Sequence, residues 1–225
     1  MAKTELSTKQ KTRRLTESAV MIALGTVLSF ITVYKLPYGG SITLFSMVPL
    51  ILIGYKYGLK WGFCSGLVFA VLQAILGATA SQAFAGMYDP NDAAASVFKM
   101  ALMTLLDYIV AFSVLGLSGL YRGKLKNHVA GVTLGGATVV VFRFLAHFFS
   151  GWILWGSYAE WYFGENMNNA FGQSVLAHFS GQGLAAFYSL IYNGSYMLPE
   201  LVITVVVLAL LMAVKPLRAF ATETK

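Results

Sequence analysis

The stretch Arg143-Phe-Leu-Ala-His147-Phe-Phe-Ser150-Gly151-Trp-Ile-Leu-Trp155 decides the reading of this chain. It embeds a cation, an imidazole, a hydroxyl and an indole in an otherwise apolar run. Steps of four, seven and twelve residues return to nearly the same side of an α-helix, so Arg143, His147, Ser150 and Trp155 share one face. Ionisable groups at membrane depth are costly and usually face a pocket, a pathway or a partner. Four aligned groups of this kind describe the wall of a binding site better than an isolated packing histidine would.

The rest of the composition makes a membrane the natural setting. The chain has 225 residues, of which 57% are hydrophobic and 11% charged. A soluble domain of that size does not hide so much apolar surface. The single cysteine, Cys64, excludes an internal disulfide framework or a cysteine metal cluster. No metal-ligand spacing occurs. The excess of +7 sits in loops and termini, where it reads as a topology signal before a nucleic-acid footprint.

The hydropathy pattern predicts an all-α integral membrane protein, with six transmembrane helices in one bundle spanning residues 1–225 as a single membrane domain. The expected spans are Leu15 to Tyr34, Ser41 to Tyr55 with Pro49 as a kink, Leu59 to Gly77, Ala95 to Leu120, Val129 to Trp155 and Ala186 to Val214. Two long outer loops, residues 78–95 and 156–185, join them. Basic residues cluster in the segment 1–14, at Lys56 and Lys60, at Arg122, Lys124 and Lys126, and at Lys215, Arg218 and Lys225. With six crossings all these places share one side, and the positive-inside rule puts the N and C termini in the cytoplasm. Helix rise from Val129 then places His147 roughly 27 Å up its helix, near the outer boundary, so a pocket there opens outward.

Two further constellations join the fifth-helix face. Asp107 and Tyr108 stand in Leu105-Leu-Asp-Tyr-Ile-Val-Ala-Phe112, where a carboxylate among apolar neighbours needs a counter-charge or good donors. Arg143 is one available partner and a cationic ligand the other. The stretch Tyr188-Ser-Leu-Ile-Tyr192-Asn193-Gly-Ser195-Tyr196 supplies aromatic faces, hydroxyls and an amide. An acid, an imidazole, an asparagine and several rings suit a flat heteroaromatic cation, by stacking and cation–π attraction, and argue for recognition more than catalysis. Ala19-x-x-x-Ala23 in the first helix permits close helix approach, for internal packing or for docking another membrane subunit.

Gly116-Leu-Ser118-Gly119 matches the short pattern of intramembrane serine proteases. The predicted topology sets Ser118 and His147 at opposite ends of their helices, beyond hydrogen-bond reach, which argues against such an enzyme. No Gly-x-x-x-x-Gly-Lys-Ser/Thr loop occurs, so the chain has no nucleotide-hydrolysing motif of its own.

On Gly39-Gly-Ser-Ile-Thr43, Leu106-Asp-Tyr-Ile-Val-Ala-Phe112, Arg143 to Gly151 and Tyr188 to Pro199, the chain resembles the thiamine-specific substrate-binding subunits (S components, ThiT type) of energy-coupling factor transporters. The resemblance implies a multi-pass protein of the prokaryotic cell membrane that binds thiamine with high affinity and carries no covalently bound cofactor. It also implies three partners, a transmembrane coupling protein and two cytosolic ATPases, with no role for nucleic acid. It assigns the thiamine pocket to Asp107, Tyr108, His147, Gly151, Trp155, Tyr188 and Asn193, with Arg143 and Ser150 as further candidates. Tyr38 stands near the position where relatives carry a tryptophan, and Ala19 and Ala23 match the surface for the coupling protein. Two other readings stay open on the residues alone: a binder of another small cationic or heteroaromatic nutrient, and a structural membrane subunit that takes no ligand.

Overall fold

The residues Val48 to Lys56 are all buried, an arrangement that a helix hydrophobic on every side reaches only at the centre of a protein. A computed structural model describes residues 7–36, 39–80 and 82–223. The chain enters as α1 (Thr8–Ser29), then forms a small antiparallel hairpin of β1 (Thr32–Lys35) and β2 (Ser41–Thr43). The central helix α2 (Val48–Tyr57) follows, then α3 (Leu59–Ala80) and the short α4 (Gln82–Met87). Next come α5 (Ala93–Tyr121) and α6 (His128–Leu154). After a run of short helical turns over residues 156–166 the chain forms α7 (Ala170–His178), α8 (Gly181–Ala213) and α9 (Lys215–Thr222).

Among the described residues four helices, α3, α5, α6 and α8, are long and apolar enough to cross a membrane. Their exposure pattern agrees with a lipid surround. On α8, Val202, Val206 and Leu210 are exposed at four-residue spacing, whereas Tyr196, Glu200, Thr204, Leu208 and Met212 are buried on the opposite side at the same spacing. The molecule is therefore a multi-pass helical membrane protein.

Three expectations need correction. The fold is not purely helical, because the segment read as the end of the first span and the start of the second forms the β1–β2 hairpin, with Tyr34 paired to Ile42. Pro49 does not kink a helix that starts at Ser41. It sits in the first turn of α2, where a missing N–H leaves no intrahelical bond unmade. At ten residues α2 is roughly 15 Å long, about half a bilayer core. The stretches 78–95 and 156–185 are also largely helical. Their apolar residues, with Trp155 and Tyr188, build a second core around Phe163, and the Tyr158 hydroxyl donates to the Gly86 carbonyl at 3.1 Å, tying the two stretches together.

Glycine sets the closest helix approach. A Cβ on Gly116 of α5 would lie 1.9 Å from the Gly62 carbonyl oxygen of α3, so only glycine permits this crossing. Ser118, in the protease-like motif, is buried in the same region and donates to the Ile51 carbonyl at 2.6 Å. Its hydroxyl serves α5–α2 packing. On the outer side of this core, α1 buries only Ser18 and Gly25.

Candidate functional site

Asp107 is placed by a local defect in α5. Residues Thr104–Val110 form a π-helical turn, in which the Ala111 N–H reaches back five residues to the Leu106 carbonyl. Such wider turns are rare and concentrate at functional sites. This one sets the Tyr108 ring 6.0 Å from that of Phe84 and against Gly77 of α3, and carries Asp107 toward α6. There the Asp107 carboxylate meets two donors spaced three residues apart on one helix face. His147 Nδ1 lies 2.8 Å from Oδ1, and Ser150 Oγ donates to Oδ2 at 2.6 Å.

The arginine does not pair with this acid. Arg143 Nε donates to His147 Nε2 at 3.3 Å and Nη1 to the Met47 sulfur at 2.9 Å, while the guanidinium lies 4.4 Å from the Phe112 ring centre. Because Nε2 is the acceptor, Nδ1 carries the hydrogen given to Asp107. The carboxylate is thus held by two neutral donors, and among the described residues no guanidinium or ammonium bonds it. With its side chain 20% exposed, it presents charge to the adjoining space.

That space is a cavity of about 310 Å³ between α3, α5, α6, α8 and the hairpin. It falls at the lower end of small-molecule sites, roughly 300–1,000 Å³. Asp107, Tyr108, Arg143, His147, Gly151, Trp155, Tyr188 and Asn193 all line it. Ser150 stands behind Asp107 and acts through it. Tyr38 lies outside the described residues. Ala19 and Ala23 are exposed on α1 and line a separate apolar groove against α3, together with Trp61 and Val68.

The α8 wall is an aromatic ladder. Tyr188, Tyr192 and Tyr196 recur every four residues, with ring centres 5.6 and 6.2 Å apart along the series. Asn193 is fully engaged: Nδ2 donates to the His147 carbonyl at 3.2 Å and to the Ser189 carbonyl at 3.0 Å, and Oδ1 accepts from the Tyr196 hydroxyl at 2.8 Å. Gly151 makes this possible, since a Cβ there would lie 2.3 Å from Ser189 Oγ. Trp155 packs at 5.4 Å against Tyr158. Trp152, one step around the helix, is outside the cavity and donates to Gln182 at 3.1 Å.

Several lining residues had no place in the sequence-based site. The hairpin contributes Thr32, Lys35, Gly40 and Ser41, α3 contributes Gln73, and α5 contributes Phe112. Gln73 carried a usable signal, being a lone amide in an apolar helix; its Nε2 donates to Ser29 Oγ at 3.1 Å. Tyr192 and Tyr196 stood in the quoted motif, and their four-residue step from Tyr188 could have promoted them. The other histidines lie elsewhere: His128 contacts the Tyr55 hydroxyl and His178 the Ser174 carbonyl. No group of three or more metal-ligating side chains occurs among the described residues.

Fold and cavity together define a polytopic helical membrane protein with an aromatic-walled cavity of small-molecule size. The chain belongs to the thiamine transporter protein family Thia_YuaJ, whose model matches residues 15–166. It is 28% identical over 215 residues to the thiamine transporter ThiT of Bacillus subtilis, covering 90% of this chain and 92% of that protein. It is 25% identical over 224 residues to the thiamine transporter ThiT of Lacticaseibacillus paracasei, covering 93% and 91%. A solved structure of ThiT from Listeria monocytogenes superposes with a TM-score of 0.63 at 21% identity, over 95% of this chain and 100% of that one, and shares the fold. These relatives are named as transporters, and the chain is a transport protein and not an enzyme.

Proposed function

We propose that the cavity binds thiamine and that the chain is the high-affinity substrate-binding subunit of an energy-coupling factor importer. One observation carries this reading: Asp107 offers a carboxylate to the cavity with no guanidinium or ammonium bound to it. A carboxylate in such a setting needs a cation, and a thiazolium supplies one. In this reading Asp107 faces the positive ring, Tyr108, Trp155 and Tyr188 stack on the two heterocycles, and His147 and Asn193 orient the pocket's polar edge. Arg143 holds His147, and Gly151 admits α8 to its packing distance.

The proposal includes six crossings, made by α1, α2 with the hairpin, α3, α5, α6 and α8, and places both termini in the cytoplasm with the cavity opening outward. Import then requires energy from partners, a transmembrane coupling protein and two cytosolic ATPases. The exposed Ala19–Ala23 face of α1 is their docking surface. Thiamine is the ligand, and no covalently bound cofactor takes part.

Titration of the purified protein with thiamine, followed by tryptophan fluorescence, tests the reading. Trp155 lines the cavity, so saturable quenching by thiamine and not by riboflavin or biotin is expected. Folded protein that answers to another heteroaromatic cation moves the specificity; folded protein that answers to none sinks the ligand-binding role.

A further inference from the structure

Glu200 is 1% exposed, sits on the buried face of α8 and lines no part of the cavity. One of its oxygens does two things at once. Oε1 accepts from the Thr43 backbone N–H at 2.5 Å and from the Thr43 hydroxyl at 2.8 Å. The Thr43 hydroxyl also contacts Ser46 Oγ at 2.7 Å. Oε2 makes no hydrogen bond among the described residues. A buried carboxyl group used through a single oxygen is a poor packing group, and an acid at this depth points to a role.

Thr43 is the last residue of β2 and pairs across the hairpin with Thr32, which lines the cavity, as does Ser41 two residues earlier on the same strand. The next corner is strained. Phe45 adopts φ +46°, a left-handed conformation that a bulky side chain holds only when its surroundings over-determine it. Its flanking residues supply that constraint: Leu44 N–H donates to the Ile31 carbonyl, and Val48 N–H to the Phe45 carbonyl. Beyond the Glu200 contact, the hairpin meets α8 through a hydrogen bond from the Gly40 N–H to the Tyr192 hydroxyl at 3.3 Å, longer than the Glu200 bonds.

We propose that Glu200 is a positioning residue: by gripping Thr43 it fixes the hairpin wall of the cavity to α8 and thereby sets how long a bound ligand stays. The consequence for the ligand rests on the thiamine-binding reading, whereas the grip itself does not. Loss of two buried hydrogen bonds corresponds to about a ten- to hundredfold change in a rate or equilibrium, which on binding falls mainly on dissociation.

The test uses the full chain in lipid nanodiscs, with Thr43→Val, Glu200→Leu and Glu200→Gln. Amide hydrogen exchange without ligand is expected to accelerate about tenfold or more over residues 32–36 and 39–43 in Glu200→Leu, and about threefold in Thr43→Val, which keeps the backbone N–H bond to Glu200, with the amides of α6 unchanged. Glu200→Gln keeps an acceptor oxygen and is expected to restore protection. Thiamine dissociation, measured by stopped-flow fluorescence, is expected to quicken in the same two variants with association unchanged. Unaltered hairpin exchange in Thr43→Val, or acceleration spread equally through α6, overturns the proposal; Thr43→Val decides it should Glu200→Leu fail to fold. Wild-type protein that binds no thiamine defeats the functional reading alone, and the exchange measurement still decides the grip.

Discussion

Ser150 Oγ and Asp107 Oδ2 stand 2.6 Å apart, joining the C-terminal part of α6 to the π-helical turn of α5. Ser150 is itself fully buried, so this bond orients the acid from behind and leaves its charge facing the cavity. Together with His147 it fixes both carboxylate oxygens from a single helix face. The acid is pre-organised before any ligand arrives.

Ser150→Ala therefore weakens thiamine binding by about three- to tenfold, the effect of one lost hydrogen bond to a charged acceptor that keeps its other donor. Calorimetry on the purified variant checks this, with thermal unfolding as the control for folding. An affinity equal to wild type means that His147 alone orients the acid.

Gly151→Ala places a methyl group 2.3 Å from Ser189 Oγ and 2.9 Å from Asn193 Nδ2. The α6–α8 contact has to widen, and overpacking of this kind costs about 1–3 kcal/mol. A lowered melting temperature and a loss of thiamine affinity are expected together, because Asn193 is displaced with the helix. Unchanged stability and affinity contradict the packing role.

Much of this site was legible in the sequence because α6 is a regular helix. Arg143, His147 and Trp155 fall on one face by simple periodicity and line the cavity, whereas Ser150, read onto the same face, stands behind Asp107; Gly151 came from the family resemblance. Tyr188 and Asn193, five residues apart, share no face by that rule and were picked out by residue type and by the family resemblance. What was lost is where periodicity fails. The π turn around Asp107 obeys no 3.6-residue rule, so its approach to Ser150 was not predictable from spacing. The hairpin was hidden by apolar residues such as Ile31, Val33 and Ile42, which read equally as helix or strand over so short a run. The central helix α2 was taken for a full span because a fully buried helix and a lipid-facing one share the same apolar composition.

At the end of the bundle away from the cavity, Lys56 is 2% exposed, bonds Glu17 at 2.6 Å and lies 3.7 Å from the Phe220 ring centre. Glu17→Gln leaves this cation buried without its counter-charge. The expected loss is about 3 kcal/mol of stability, as for other broken buried pairs, with thiamine affinity little changed. Chemical or thermal unfolding in detergent measures the first and calorimetry the second. No loss of stability means that the Phe220 and Tyr57 rings suffice for the cation.

A tryptophan at Ala19 or at Ala23 fills the exposed α1–α3 groove without approaching the cavity. Binding is expected to stay within about twofold of wild type, since distant sites act independently, while uptake with the partner subunits present falls steeply. Binding and uptake assays on the same variant separate the effects. Loss of binding as well assigns the alanines to internal packing.

The charge that Asp107 offers the cavity is measured by comparing two ligands on two proteins. Thiamine and an uncharged analogue, in which carbon replaces the thiazolium nitrogen, are titrated by calorimetry into wild-type protein and Asp107→Asn. Asp107→Asn is expected to weaken thiamine about ten- to hundredfold and the neutral analogue much less, because only the cation loses its counter-charge. Equal losses for both ligands, or none for either, contradict that pairing.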